Sequence, residues 1–248
     1  MQQRLDQALV ELGLCTSREQ AKRTIMAGQV VVNRQRVLKP SRLVRPTDEI
    51  KIAKPQPYVS RGGEKLEGAL AHFKLDVTGA VVIDIGASTG GFTDCVLQHG
   101  AKKVYAVDVG RGQLAWKLRN DPRVVVMENV NARYLAPEKM PGGFAPADLV
   151  LIDCSFISLQ KIIPAAIALV RSSGKILALV KPQFEAGRRE AARGKGVIRD
   201  PAVHSRVMTH LKLFVEQTGT LKWLGQIESP LLGPAGNKEF FVLLEKTN

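Results

Sequence analysis

The chain has 248 residues, with 36 Lys+Arg against 23 Asp+Glu and a formal net charge of +13. Hydrophobic residues make up 45%, enough for a packed core, which excludes wholesale disorder. The longest apolar run, Ile162 to Val170, is nine residues and contains Pro164, well short of the roughly 18 residues of a spanning helix.

In chain order, Leu5, Ala8, Leu9 and Leu12 share one helical face and Gly13 ends that helix. Thr16 and Glu19 have capping-box spacing at the start of a second helix, with Ala21, Ile25 and Met26 on its inner face and Gly28 as its stop. Val30 to Val32 reads as a strand, Asn33 to Arg36 as a turn and Asp48 to Ile52 as a closing strand. Up to Lys54 this part carries eleven basic residues against five acids. Arg18, Lys22 and Arg23 lie near one another on the second helix, and such a face suits the phosphates of folded RNA. A solvated charged face is the alternative. The stretch 54–59, with Pro55 and Pro57, reads as a stiff linker between a domain at 1–53 and one at 60–248.

The second domain opens with a helix over 63–73 and a buried strand over 81–85. Helices follow at 92–98, 113–119, 159–170 and 203–218, with strands at 104–107, 124–127, 149–153, 176–181, 221–227 and 240–244. Strands alternating with helices imply a mostly parallel sheet covered on both faces, the α/β class.

The turn Gly86-Ala87-Ser88-Thr89-Gly90-Gly91 follows the first strand of that sheet, at the edge where open α/β sheets bind ligands. Asp108 ends the next strand, where an acid accepts hydrogen bonds from ribose hydroxyls. The spacing lacks the pyrophosphate cradle of dinucleotide sites and fits S-adenosylmethionine better, held by Gly86, Ser88, Gly90 and Asp108, with Asn131 toward the adenine. Gly-x-Ser-x-Gly also matches a hydrolase nucleophile elbow, with His204 or His210 as the base.

Four charged residues stand at element ends: Lys65, Asp153, Lys181 and Glu239. Parallel strands bring Asp153 and Lys181 to the edge that carries the glycine turn. A partly desolvated lysine near other cations can lose its proton near neutral pH and act as a base, with carboxylates to orient it. Taken singly, each also fits a surface ion pair. The segment 187–199, which includes Arg188 and Arg189, reads as a basic lid over RNA phosphate or as an ordinary loop.

The charge balance, with a pI near 9.9, points to a polyanion partner. Charges at Arg4, Asp6 and Glu11 stand where a signal peptide needs apolar residues. Cys15, Cys95 and Cys154 are odd in number and far apart, suiting a reducing cytoplasm and neither disulfides nor a metal site.

Two resemblances sharpen these readings. Arg4-Leu5-Asp6, Ser17-Arg18-Glu19-Gln20-Ala21 and Gly28-Gln29-Val30-Val31-Val32-Asn33 resemble the small RNA-binding module named after the fourth small-subunit ribosomal protein. Ser60-Arg61-Gly62-Gly63-Glu64-Lys65, Asp84-Ile85-Gly86-Ala87-Ser88-Thr89-Gly90-Gly91, Asp153-Cys154-Ser155-Phe156, Lys181-Pro182-Gln183-Phe184-Glu185 and Gly236-Asn237-Lys238-Glu239 resemble the TlyA-type family, often labelled hemolysin A, with an FtsJ-like methyltransferase domain. The resemblance implies a Rossmann-like fold that takes S-adenosylmethionine and methylates a ribose 2′-hydroxyl of ribosomal RNA. It places the family's Lys-Asp-Lys-Glu set on Lys65, Asp153, Lys181 and Glu239, and RNA contacts on Arg4, Arg18, Lys22, Arg23 and Arg61. RNA affinity would then fall steeply with salt. The family's Arg/aromatic linker motif is replaced here by Pro55-Gln56-Pro57-Tyr58. A membrane-lytic protein, as the label suggests, and a non-catalytic ribosome-assembly factor are the alternatives.

Overall fold

A computed structural model describes residues 2–53, 57–187, 190, 194 and 196–247. They form two compact units, Met1–Gln56 and Pro57–Asn248.

In the first unit, β1 (Gln3–Arg4) leads into α1 (Leu5–Glu11), followed by α2 (Arg18–Met26), β2 (Val30–Val32), β3 (Gln35–Val37), β4 (Leu43–Val44) and β5 (Ile50–Ile52). Strands pair antiparallel in the orders β1-β4 and β3-β2-β5. The expected turn over 33–36 shortens to Asn33-Arg34. Both have positive φ, the backbone of a two-residue hairpin, so Gln35 and Arg36 continue into β3. The cap of α2 also moves by one residue. Ser17 accepts from the Gln20 amide at 3.2 Å, and Gln20 Oε1 accepts from the Thr16 amide at 2.7 Å. Leu5, Ala8, Leu9, Ala21 and Ile25 are buried, but Leu12 and Met26 are exposed, because a unit this small covers one narrow stripe of each helix.

Asp6 is fully buried and accepts from Arg4 at 3.0 Å and from Arg18 at 3.2 Å. The Arg4 hydrogen bond holds its carboxyl below the usual range against the opposing effect of burial, with Arg18 assisting. Arg4 and Arg18 therefore brace the unit, though about half of each side chain remains in solvent. Lys22 and Arg23 are exposed.

The second unit holds α3 (Arg61–Phe73), β6 (Val81–Ile85), α4 (Gly91–Gln98), β7 (Lys103–Val107), α5 (Trp116–Arg119), β8 (Val124–Met127), β9 (Ala147–Ile152), α6 (Ile163–Leu169), β10 (Val170–Val180), α7 (Pro182–Glu185), then α8 (Pro201–Gln217), β11 (Leu221–Glu228) and β12 (Phe240–Lys246). The seven strands order as β11-β12-β10-β9-β6-β7-β8. Pairs among β6 to β10 are parallel, and β12 runs antiparallel to both β10 and β11. Successive side chains of a strand point to opposite faces, so both faces acquire a core. Ile83, Ile85, Ile176 and Ala178 pack with α6 and α8, while Val82, Leu177 and Leu179 pack with α3 and α4.

Three elements depart from the sequence reading. The expected helix over 159–170 splits into a 3-10 turn, Leu159–Lys161, and α6, with Pro164 in the first turn, where its missing amide costs nothing. Val170 already pairs with Ala147, and the register shift between Val170 and Lys175 marks a bulge, so β10 begins six residues before the expected Ile176. The expected helix over 113–119 contracts to α5, because Ala115 has ψ of 139°, outside the helical range, and donates its amide to the Thr89 carbonyl at 3.2 Å.

Candidate active site

The carboxyl ends of β6, β9 and β10 meet at one edge of the sheet. The Gly86 amide donates to the Val107 carbonyl at 2.8 Å, and the Asp153 amide donates to the Ile85 carbonyl at 2.9 Å. The strand ends are thus bound to one another where the chain leaves the sheet. Gly86 has φ of 88°, and a Cβ there would stand 2.5 Å from the Asp153 carbonyl oxygen. Gly90 has φ of 93°, and a Cβ there would meet Leu118 at 2.3 Å. Only glycine fits both the dihedral and the space.

A cavity of about 590 Å³ opens at this edge, a size typical of small-molecule sites. Lys65, Asp153, Lys181 and Glu239 all line it. They form two pairs. Lys65 Nζ donates to Glu239 Oε2 at 2.5 Å, with both side chains buried. Lys181 Nζ lies 2.6 Å from Asp153 Oδ1 and donates to Ser155 Oγ at 3.0 Å. This second pair is more open, with 12% and 24% of the side chains exposed.

Gly86, Ser88 and Arg61 also line the cavity; Gly90, Asp108 and Asn131 do not. Asp108 stands behind Ser88 and accepts its amide at 2.8 Å and the Gly110 amide at 2.6 Å. Each carboxylate oxygen keeps a lone pair for another donor. The Asn131 oxygen caps a 3-10 turn by accepting from the Arg133 amide at 3.1 Å. His204 is bonded to the Ile198 carbonyl, and neither it nor His210 lines the cavity with Ser88, so the hydrolase triad is not assembled.

Arg188 and Arg189 lie outside the described residues. At the far end of their segment, Asn237 takes the Ile198 amide on its oxygen and donates to the Gly196 carbonyl. Sequence reasoning missed the aromatic wall of the cavity. Phe156, at φ 64° and 89% exposed, has its ring 5.0 Å from that of Phe184. An exposed phenylalanine in the left-handed region leaves no periodic signal in a sequence.

Asp84, one strand position before Ile85, is fully buried. Thr93 donates to its Oδ2 at 2.6 Å and its Oδ1 has no partner. Burial pushes its carboxyl up to about 7, against the Thr93 hydrogen bond and with help from the Asp153 charge. The native state then keeps a proton that the unfolded chain loses near the ordinary value of 3.8, so stability falls as pH rises from about 4 to about 7 and is level above. Asp84→Asn removes this titration. Urea unfolding at pH 5 and pH 7 is expected to show the wild type losing stability relative to the variant, by at most about 1.4 kcal/mol per pH unit. Parallel curves for the two proteins would refute the assignment.

The model of the FtsJ-like methyltransferase family matches residues 58–246. The chain belongs to the FtsJ-like methyltransferase family. The S4 domain model matches residues 3–50. The chain is 49% identical over 243 residues to YqxC of Bacillus subtilis (strain 168), provisionally named an rRNA methyltransferase, spanning 98% of this chain and 85% of that one. It is 44% identical over 245 residues to the 16S/23S rRNA (cytidine-2′-O)-methyltransferase TlyA of Mycobacterium tuberculosis (strain ATCC 25618 / H37Rv), spanning 97% and 89%. A solved structure of a Streptococcus thermophilus protein, provisionally named a hemolysin, superposes with a TM-score of 0.75 at 47% identity, covering all of this chain and 89% of that one. The Rossmann-like methyltransferase fold and the N-terminal RNA-binding module inferred from sequence are both present. Despite the hemolysin label, no helix among the described residues is long and apolar enough to cross a membrane.

Proposed function

We propose that this FtsJ-like methyltransferase transfers a methyl group from S-adenosylmethionine to a ribose 2′-hydroxyl of ribosomal RNA. The observation that carries the reading is the meeting of two lysine–carboxylate pairs in one cavity beside a glycine turn. The cavity's size, the close backbone approach at Gly86 and the open lone pairs of Asp108 suit that cofactor, with Gly86, Ser88, Gly90 and Asp108 to hold it and Asn131 toward its adenine. When bound, it supplies a methyl group on a positively charged sulfur.

A ribose hydroxyl is a poor nucleophile until its proton is drawn away. Lys181 stands at the open side of the cavity to take that proton, and Asp153 then neutralises the ammonium that results. Lys65 and Glu239 form a buried pair in the same cavity lining and shape the field around the reacting oxygen. Holding that oxygen in line with the methyl group is the larger part of the catalysis. The exposed Phe156 ring offers a face for a base turned out of its stack. Residues 1–53, through Arg4, Arg18, Lys22 and Arg23, and Arg61 at the cavity contact RNA backbone, and residues 60–248 carry the chemistry. Arg188 and Arg189 join the RNA contacts.

The test is methyl transfer from labelled S-adenosylmethionine to separated small and large ribosomal subunits. Label in RNA, at a linkage resistant to alkaline cleavage, is the expected result. Cofactor binding without label on either subunit would overturn the reading in favour of a non-catalytic RNA-binding factor.

A further inference from the structure

An ammonium group on a free lysine spins about its last carbon–nitrogen bond. A hydrogen-bond acceptor limits that rotation, and a fixed charge beside it limits it further. Lys181 has one of each: it donates to Ser155 Oγ at 3.0 Å and stands in an ion pair 2.6 Å from Asp153 Oδ1, an oxygen that accepts no hydrogen bond among the described residues. The third position on nitrogen has no acceptor among the described residues, and the side chain lines the cavity.

We propose that Ser155 is a positioning residue for methyl transfer: its hydrogen bond, beside the Asp153 charge, fixes the rotation of the Lys181 nitrogen, so that the lone pair of the neutral amine meets the substrate hydroxyl and takes its proton as the oxygen bonds to the methyl group. Ser155 acts through Lys181 and contributes nothing to cofactor or RNA affinity. The inference rests on the reading of Lys181 as the group that handles the hydroxyl proton.

The segment carrying Ser155 is built to hold it. At one end the Asp153 amide is bound to the Ile85 carbonyl at 2.9 Å. At the other, the Ser158 hydroxyl and the Leu159 amide donate to the Glu185 carboxylate at 2.7 and 2.8 Å. Glu185 lies on α7, which begins directly after Lys181. The two segments that supply Lys181 and Ser155 are therefore tied together by a second, independent clamp. Between the anchors, Phe156 takes positive φ and turns the chain. A local geometry held at both ends is what a positioning contact requires.

The experiment compares wild type, Ser155→Ala, Ser155→Thr and Lys181→Ala. It uses single-turnover methyl transfer at saturating labelled S-adenosylmethionine on the ribosomal subunit that takes label, with cofactor affinity by calorimetry and half-saturation by subunit. Ser155 is exposed, so both substitutions leave the core untouched. The expected result for Ser155→Ala is a single-turnover rate lowered about tenfold, with cofactor affinity and half-saturation within about twofold of wild type. Ser155→Thr, which keeps the hydroxyl, recovers most of the rate. A Ser155→Ala rate within about twofold of wild type, a loss seen only in affinity, or a threonine no better than alanine would overturn the inference. If Lys181→Ala also keeps its rate, the underlying reading of Lys181 falls. If Lys181→Ala is inactive while Ser155→Ala is normal, only the role of Ser155 falls.

Discussion

Lys181→Ala is expected to lower methyl transfer by at least about a hundredfold, the usual contribution of a positioned proton-transfer group, while the protein stays folded and binds cofactor as before. The separation follows from exposure. Asp153 and Lys181 keep 24% and 12% of their side chains in contact with solvent, so removing the lysine leaves Asp153 facing a cavity that water can enter. No buried charge is stranded, and the thermal midpoint should move little. Lys181→Arg sharpens the result. A guanidinium keeps the positive charge but does not give up its proton in a protein, so it cannot take one from a hydroxyl. If the charge alone mattered, arginine would restore much of the rate; with proton transfer at issue, it stays close to alanine. Rate, melting temperature and calorimetric cofactor affinity, measured on the three proteins, decide the point. Substantial activity in Lys181→Ala would remove this residue from the chemistry.

The sequence exposed the ends of the central strands because composition changes there abruptly. The run 81–85, apolar but for Asp84, gives way to a glycine-rich turn, and 104–107 gives way to Asp108. A buried parallel strand has to be apolar on both faces, so its boundary is sharp even in a single sequence. How the four charged residues divide was hidden. Lys65 and Glu239 are 174 positions apart and meet because β12 inserts antiparallel beside β10, a matter of long-range topology with no local signature. Sequence reading takes the four as one set; the structure puts Lys65 and Glu239 in a sealed pair of their own.

Other differences have the same origin. Arg4 and Arg18 look like free cations on a helical module, yet both reach Asp6, whose burial the charge pattern does not reveal. The start of β10 is set by pairing with Ala147, although its first residues, Arg171 to Gly174, have poor strand character. Ser155 carries no signal at all. It is one serine inside a motif, and its contact with Lys181 exists only because β9 and β10 are neighbours in the sheet.

The sealed pair makes the largest stability prediction. Lys65 is 7% exposed and Glu239 is 1% exposed. Bringing two such charges out of water costs several kcal/mol each, which their 2.5 Å contact offsets only while both are present. Glu239→Ala strands a buried ammonium and is expected to destabilise the protein by about 3–5 kcal/mol. For a unit of this size that corresponds to a fall on the order of 10 °C in the melting temperature. A double variant, Lys65→Met with Glu239→Leu, removes both charges and keeps most of the volume. It should recover most of that loss, because an apolar pair needs no compensation. Calorimetric melting of wild type, single and double variants tests this, and a single variant as stable as wild type would defeat it. Activity then separates structure from chemistry. If the pair shapes the field at the reacting oxygen, the double variant melts near wild type but transfers methyl poorly. If the pair is a strut between α3 and the entry to β12, stability and activity return together.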